Sequence, residues 1–189
     1  MMHECAREKT RMNDLAFDAM AFARRVHDGH VRKYTGNPYT DHLAEVAGIA
    51  MSVGWSAPLV RPNEFMAVCW LHDCVEDRGV TKDELFAQFG ALVANGVMLL
   101  SDLEVGNRAE RKAASRARLS EAPAWIQTIK CADLISNTSS IVRHDPKFAK
   151  TYLQEKRELL AVMTKADRRL WNVAMEQACT PTSEAGSQP

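Results

Sequence analysis

The sequence has no excess of either charge: 24 lysines and arginines stand against 24 aspartates and glutamates. No global field draws such a chain to nucleic acid or to a membrane surface, so any phosphate-binding surface has to be local. There is no CxxC pair, and the five cysteines (Cys5, Cys69, Cys74, Cys131, Cys179) are odd in number. That speaks against a disulfide framework; three of them fall in apolar helical context and suit reduced, buried thiols. No apolar run reaches the roughly 18 residues of a transmembrane helix, and residues 1–11 are polar and mixed in charge, unlike a signal peptide. Strand-like alternation and internal repeats are missing as well. These absences predict a soluble, cytoplasmic, all-α domain.

What is present is helical punctuation. A chain of 189 residues with 46% hydrophobic composition is long and apolar enough for one domain with a substantial core. The reading is a flexible N-terminus over 1–11, a helical bundle over 12–178 and a disordered tail over 179–189. An apolar stripe (Leu15, Ala19, Phe22, Val26) predicts a helix over 12–29. A second runs from about 40 to 53, and Pro62 fits the first position of a third. Thr81 and Glu84 form a capping box for 82–89, which Gly90 ends. Residues 91–101 are a further apolar segment. Polar 107–119, then 123–141, 147–164 and 167–178 complete the series, with Asp145-Pro146 as a break.

The chemistry concentrates in residues 66–77, Met-Ala-Val-Cys-Trp-Leu-His-Asp-Cys-Val-Glu-Asp. Four ionisable groups, His72, Asp73, Glu76 and Asp77, follow an apolar run, and buried charges are costly unless paired or bound to a cation. In one continuous helix, Glu76 lies a turn beyond His72 and Asp77 a turn beyond Asp73. His72 and Asp73 then offer a nitrogen and an oxygen to one ion. His42, in the first turn of its helix, and Asp133, within an apolar helix, are the further candidates. Read alone, His42 is equally a core or surface histidine, and Asp133 a buried carboxylate paired with an arginine.

Taken together, these residues resemble the HD superfamily of metal-dependent phosphohydrolases, and more narrowly the hydrolase domain of the RelA/SpoT type and the small alarmone hydrolases. The resemblance rests on Arg32-Lys33, Gly36-Asn-Pro-Tyr39-Thr-Asp-His42 and Leu71-His72-Asp73-Cys-Val-Glu76-Asp77. Thr81, Phe89-Gly90, Ser101-Asp102, Glu110-Arg111-Lys112 and Ile129-Lys130-Cys-Ala-Asp133-Leu-Ile-Ser-Asn137 continue it, so that it spans about 14–157. It implies an all-α fold with His42, His72, Asp73 and Asp133 as metal ligands. Nitrogen with hard oxygen and no thiolate favours Mn²⁺ or Fe²⁺, with Zn²⁺ or Mg²⁺ as alternatives; the resemblance implies Mn²⁺. Glu76 is placed to orient or deprotonate a water, with Asp77 in support. Arg32 and Lys33 fall where the family holds substrate phosphates, Asn137 matches a substrate-contacting asparagine, and Tyr152 corresponds to an aromatic residue near the nucleoside.

Leu43, Arg78 and Leu134 depart from the residues common in that family: proline, threonine and, in alarmone hydrolases, a basic residue. Arg78 is expected to add a cation near the site. The run Arg108, Arg111, Lys112, Arg116, Arg118 reads as a solvated face. The function implied is removal of the 3′-pyrophosphate of ppGpp or pppGpp. The alternatives are a phosphohydrolase for another nucleotide, such as NADPH or a deoxynucleotide, and a non-catalytic nucleotide-binding module. The partner expected is a small-molecule nucleotide, with no nucleic acid and no membrane; the oligomeric state is left open.

Overall fold

A computed structural model describes residues 15–53 and 60–179, and the expected N-terminal segment and the tail beyond Cys179 lie outside these. The first helix, α1, covers 15–26 of the described residues. It is followed by α2 (Tyr39–Met51), α3 (Pro62–Leu71), α4 (Cys74–Arg78), α5 (Lys82–Leu100), α6 (Arg108–Glu121), α7 (Ala124–His144), α8 (Pro146–Val162) and α9 (Arg168–Cys179). Among the described residues the only strand-like pairing is an isolated bridge between Val31 and Pro38. The fold is all-α.

The punctuation acts as its chemistry dictates. Pro62 occupies the first turn of α3, where its missing N–H is no loss. The Thr81 hydroxyl accepts the Glu84 N–H, and the Glu84 carboxylate accepts the Thr81 N–H in return. Asn107 and Glu110 do the same for α6. Gly90, at φ 82° and ψ 172°, is non-helical, so α5 is two helical pieces meeting at a kink there, and the first ends where expected. By length and composition α5 could cross a membrane. Here Leu85, Phe89, Val93, Val97 and Leu100 are buried in the common core instead.

The centre of the bundle is α7, which packs against α2, α5, α8 and α9. It is buried nearly all round, and each leucine-sized side chain so buried is worth roughly 1.5–3 kcal/mol. At Gly96, α5 passes so close to Trp125 that a Cβ would stand 2.6 Å from its ring. Gln127, wholly buried, donates to the Leu119 carbonyl and accepts the Lys165 N–H, fixing the loops at both sides of α7. Cys69, Cys74 and Cys131 are buried free thiols and Cys179 is exposed.

One expectation is corrected. Residues 62–78 are two helices rather than one, broken at His72-Asp73, with Asp73 at φ −103° and ψ −2°. The Cys69 carbonyl, the acceptor a continuous helix assigns to the Asp73 N–H, takes the His72 Nδ1–H at 2.8 Å. A side chain has entered the helical ladder, which is a recognised cause of a kink.

Candidate metal centre

Three separate stretches bring four side chains together. His42 comes from the first turn of α2, His72 and Asp73 from the break between α3 and α4, and Asp133 from the middle of α7. His42 Nε2 lies 3.4 Å from Asp73 Oδ2 and 3.4 Å from Asp133 Oδ1; His72 Nε2 lies 3.0 Å and 3.9 Å from the same two atoms. Bonds of roughly 2.1 Å to one ion put neighbouring ligand atoms about 3–3.5 Å apart; three of the four distances fall in that range, and His42, His72 and Asp133 each bring a ligand atom within 4.8 Å of the others, with Asp73 against both histidines.

The ring tautomers give the same result. His72 Nδ1 faces a carbonyl, which only accepts, so this nitrogen carries the proton. His42 Nδ1 stands 2.8 Å from Ser136 Oγ, and that hydroxyl donates onward to Glu45 Oε2 at 2.7 Å, so it accepts from the ring. Both Nε2 atoms therefore present lone pairs, and both are buried with no hydrogen-bond partner. Lone pairs aimed at carboxylates repel unless a proton or a metal ion stands between them.

The field favours such a charge. Burial lowers the His42 pKa, but the nearby Asp133 and Asp73 carboxylates outweigh it and lift it to about 9. His72 is raised in the same way, mainly by Asp73. Burial pushes Asp133 up, yet Lys130 and His42 hold it well below the usual carboxylate range. Lys130 Nζ reaches Asp133 Oδ2 at 2.8 Å, and Asn137 Nδ2 donates to Oδ1 at 2.6 Å. Asp133 is thus paired with a lysine, not an arginine, while its other oxygen faces the histidines. Tyr39 Oη donates to Asp73 Oδ2 at 2.7 Å.

The centre opens into a cavity of about 390 Å³ whose lining includes Tyr39, Asp73, Glu76, Asp77, Asp133, Asn137 and Tyr152. Glu76 accepts the Asp102 N–H at 3.0 Å, and its pKa is raised by burial. Asp77 is raised by burial and by Asp73. The lining also carries Arg108, Arg111, Lys112, Arg116 and Lys156. The basic run of α6 is therefore not simply a solvated face: packing of α6 against α8 turns four of its cations towards the cavity. Three are already paired, Arg108 with Glu155, Lys112 with Asp102 and Arg116 with Glu158. Arg111 has no side-chain partner among the described residues.

The other expected phosphate contacts sit elsewhere. Arg32 donates to Asn137 Oδ1 at 2.9 Å and lines a second, smaller cavity of about 250 Å³ with His42 and Ser136. Lys33 lines neither; its ammonium lies 3.3 Å from the Tyr34 hydroxyl. Arg78 adds no cation to the cavity, because its guanidinium donates to the Val26 carbonyl at 2.6 Å. Sequence reasoning missed Tyr39, Glu45, Lys130 and Ser136. The last three lie one helical turn from His42 or Asp133 in sequence, and that spacing was the available signal.

The architecture and the site define a helical domain with a buried cluster of histidines and an aspartate that could hold a metal ion, next to a polar cavity. The chain belongs to the HD domain family, whose model matches residues 19–158. It is 33% identical over 72% of its length to a probable GTP diphosphokinase, RSH2, chloroplastic, of Oryza sativa subsp. japonica. It is 28% identical over 82% of its length to a probable guanosine-3′,5′-bis(diphosphate) 3′-pyrophosphohydrolase of Synechocystis. The chain spans about a fifth of the length of these relatives, 20% of each. Among solved structures it is similar to a metazoan ortholog of SpoT that hydrolyses ppGpp, with a TM-score of 0.76 and 20% identity, covering 86% of this chain and 93% of that one. That likeness concerns the fold.

Proposed function

We propose that this chain is a cytoplasmic, Mn²⁺-dependent phosphohydrolase that removes the 3′-pyrophosphate of ppGpp or pppGpp. The observation that carries the reading is the polarity of the cavity. Asp73, Asp133 and Glu76 line it together with the α6 cations Arg108, Arg111, Lys112 and Arg116, and His42 and His72 stand directly behind the two aspartates. A nucleotide with phosphates at two positions has use for both the His/Asp cluster and these cations. The activities for which the Synechocystis relative and the metazoan SpoT ortholog are named agree with it.

When bound, the ion would polarise a phosphoryl oxygen and acidify a water. The chain's own residues supply the rest. Glu76, raised by burial and held by the Asp102 N–H, is positioned to accept a proton from the attacking water. Asp77 stands on the same wall and supports it. Arg111, without a side-chain partner among the described residues, is the guanidinium ready for a phosphate, which it can grip with two parallel N–H donors. Arg32 acts through Asn137, whose amide holds Asp133. Tyr152 lines the cavity beside Phe148, their ring centroids 6.2 Å apart, and gives a nucleoside an aromatic wall.

Leu134 supports a second reading. It puts an apolar side chain on the cavity wall where alarmone hydrolases often have a basic one, which suits another nucleotide such as NADPH or a deoxynucleotide. A purely binding module has no use for Glu76 at this place. The test is a panel of ppGpp, pppGpp, NADPH and deoxynucleotides with Mn²⁺-loaded protein, products resolved by chromatography. Pyrophosphate released from ppGpp supports the first reading, and turnover of NADPH or a deoxynucleotide alone supports the second. No turnover of any substrate removes the enzyme.

A further inference from the structure

Beside the centre just described lies a second group of ligating side chains that the proposed reaction does not use as a set. His27 and His30 flank the turn that leaves α1, and Asp77 comes from α4. One nitrogen or carboxylate oxygen of each lies within 4.8 Å of those of the other two. The two Nδ1 atoms of the histidines are 3.1 Å apart. We propose that His27, His30 and Asp77 form a second cation site, taking a divalent transition-metal ion next to the His42–His72–Asp73–Asp133 centre.

Several independent features hold these groups in place. The Tyr39 ring stacks on both imidazoles, with centroids 5.0 Å from His27 and 4.1 Å from His30 and planes within 10° of parallel. Its hydroxyl meanwhile donates to Asp73, so one side chain forms the wall between the two groups. The Arg78 guanidinium binds the carbonyl of Val26, which fastens the end of α4, and Asp77 with it, against the end of α1. Ligands so constrained lose little freedom on taking up an ion.

The chemistry of the set selects the ligand. Two imidazoles and one carboxylate suit a first-row transition ion such as Mn²⁺, Fe²⁺ or Zn²⁺ and leave coordination positions open. His27 is 2% exposed, and its Nε2 has no hydrogen-bond partner among the described residues, so the protein does not recover the cost of burying that ring. Burial also draws the pKa of this imidazole down to about 4, so it is neutral and able to ligate at pH 7. A route for the ion is present. His27 and His30 line an open cleft of about 360 Å³ with Gly29 and Pro38, and Asp77 faces the main cavity.

The competing account is that the two histidines share one proton in a hydrogen bond and bind nothing. Metal counting separates the two. The metal-free chain is dialysed to equilibrium against Mn²⁺, and separately Zn²⁺, and ions per chain are measured by mass spectrometry. Two ions are expected in the wild type and one in His30→Gln, whose half-buried side chain leaves the core intact. Asp73→Ala is expected to keep one, and the double variant none. With Mn²⁺ bound, electron paramagnetic resonance should show spin coupling in the wild type that vanishes in either single variant. Asp77→Asn gives the same count as His30→Gln should that variant fail to fold. A wild type saturating at one ion, or a second ion that survives both His30→Gln and Asp77→Asn, overturns the proposal. Neither readout requires nucleotide turnover, so this site stands or falls apart from the substrate.

Discussion

Asp102 donates its backbone N–H to Glu76 at 3.0 Å while its carboxylate receives Lys112 at 2.8 Å and Arg118 at 2.7 Å. One residue thus joins the Glu76 carboxylate to the basic helix α6, both on the lining of the main cavity. The peptide N–H fixes Glu76, and the side chain fixes α6.

If Glu76 is the base, Glu76→Gln keeps its shape and its bond to Asp102 while removing the proton acceptor. We expect kcat to fall by about 10²–10⁴-fold with metal content unchanged. Release of pyrophosphate from ppGpp and ion counting on the same sample check both halves. Loss of the ion would instead make Glu76 a ligand.

Burial pushes the Asp102 carboxyl up, but Lys130 and Lys112 outweigh this and hold it at about 2. A folded pKa below the unfolded value means stability that is present above pH about 4 and lost as pH falls through about 2. Asp102→Asn should therefore lower the melting temperature at pH 7 and flatten its decline between pH 4 and 2. Equal acid slopes in the two proteins would remove Asp102 from the balance.

Among the described residues Arg111 has no side-chain partner on the cavity wall, whereas Lys33 lies against Tyr34 outside it. Hydrogen bonds to charged groups are worth about 1.5–3 kcal/mol, or roughly 10–100-fold in affinity. Arg111→Ala should raise KM by that order with kcat nearly kept, and Lys33→Ala should change little. The opposite ranking would return the phosphate site to residues 32–33.

The Ser136 hydroxyl accepts from His42 Nδ1 and donates to Glu45, so it sets the ring that faces the ion. Removing such an outer partner typically costs 10–100-fold in metal affinity. Ser136→Ala should weaken Mn²⁺ binding by about that factor, as read by calorimetric titration. Saturating the wild type at 100 Kd should add about 2.7 kcal/mol of stability, which chelator removes. A melting curve indifferent to chelator would count against a bound ion.

Lys156 is buried among α7, α8 and α9, where its ammonium donates to Thr138, Leu134 and Gln177. No carboxylate is among these partners, and burial lowers its pKa to about 8. Between pH 8 and about 10.5 the unfolded chain holds a proton that the folded one has lost, so this residue makes stability rise with pH. Lys156→Met should remove that rise. Chemical denaturation across the interval measures it as the difference between the two proteins.

Much of this was legible in the sequence because it depends on near neighbours. The Thr81–Glu84 box, Pro62 at a helix start and the Asp145-Pro146 stop act within a turn of their own backbone, and each falls where expected. The apolar stripes set which helix faces are buried. The His72-Asp73 pair stood out because ionisable groups beside an apolar run are costly unless something pairs with them, and His42 and Asp133 joined it through the resemblance to the HD family.

Tertiary structure decided what no local pattern encodes. His72 breaks its helix because a ring nitrogen takes the Cys69 carbonyl. Arg32 serves Asn137 rather than the main cavity because the end of α7 lies beside it. The α6 cations meet a cavity instead of bulk water only because α8 stands across from them. A charge pattern specifies which face of a helix is polar. Whether that face looks onto solvent or onto a site is set by the elements packed around it, and those come from residues far away in the chain.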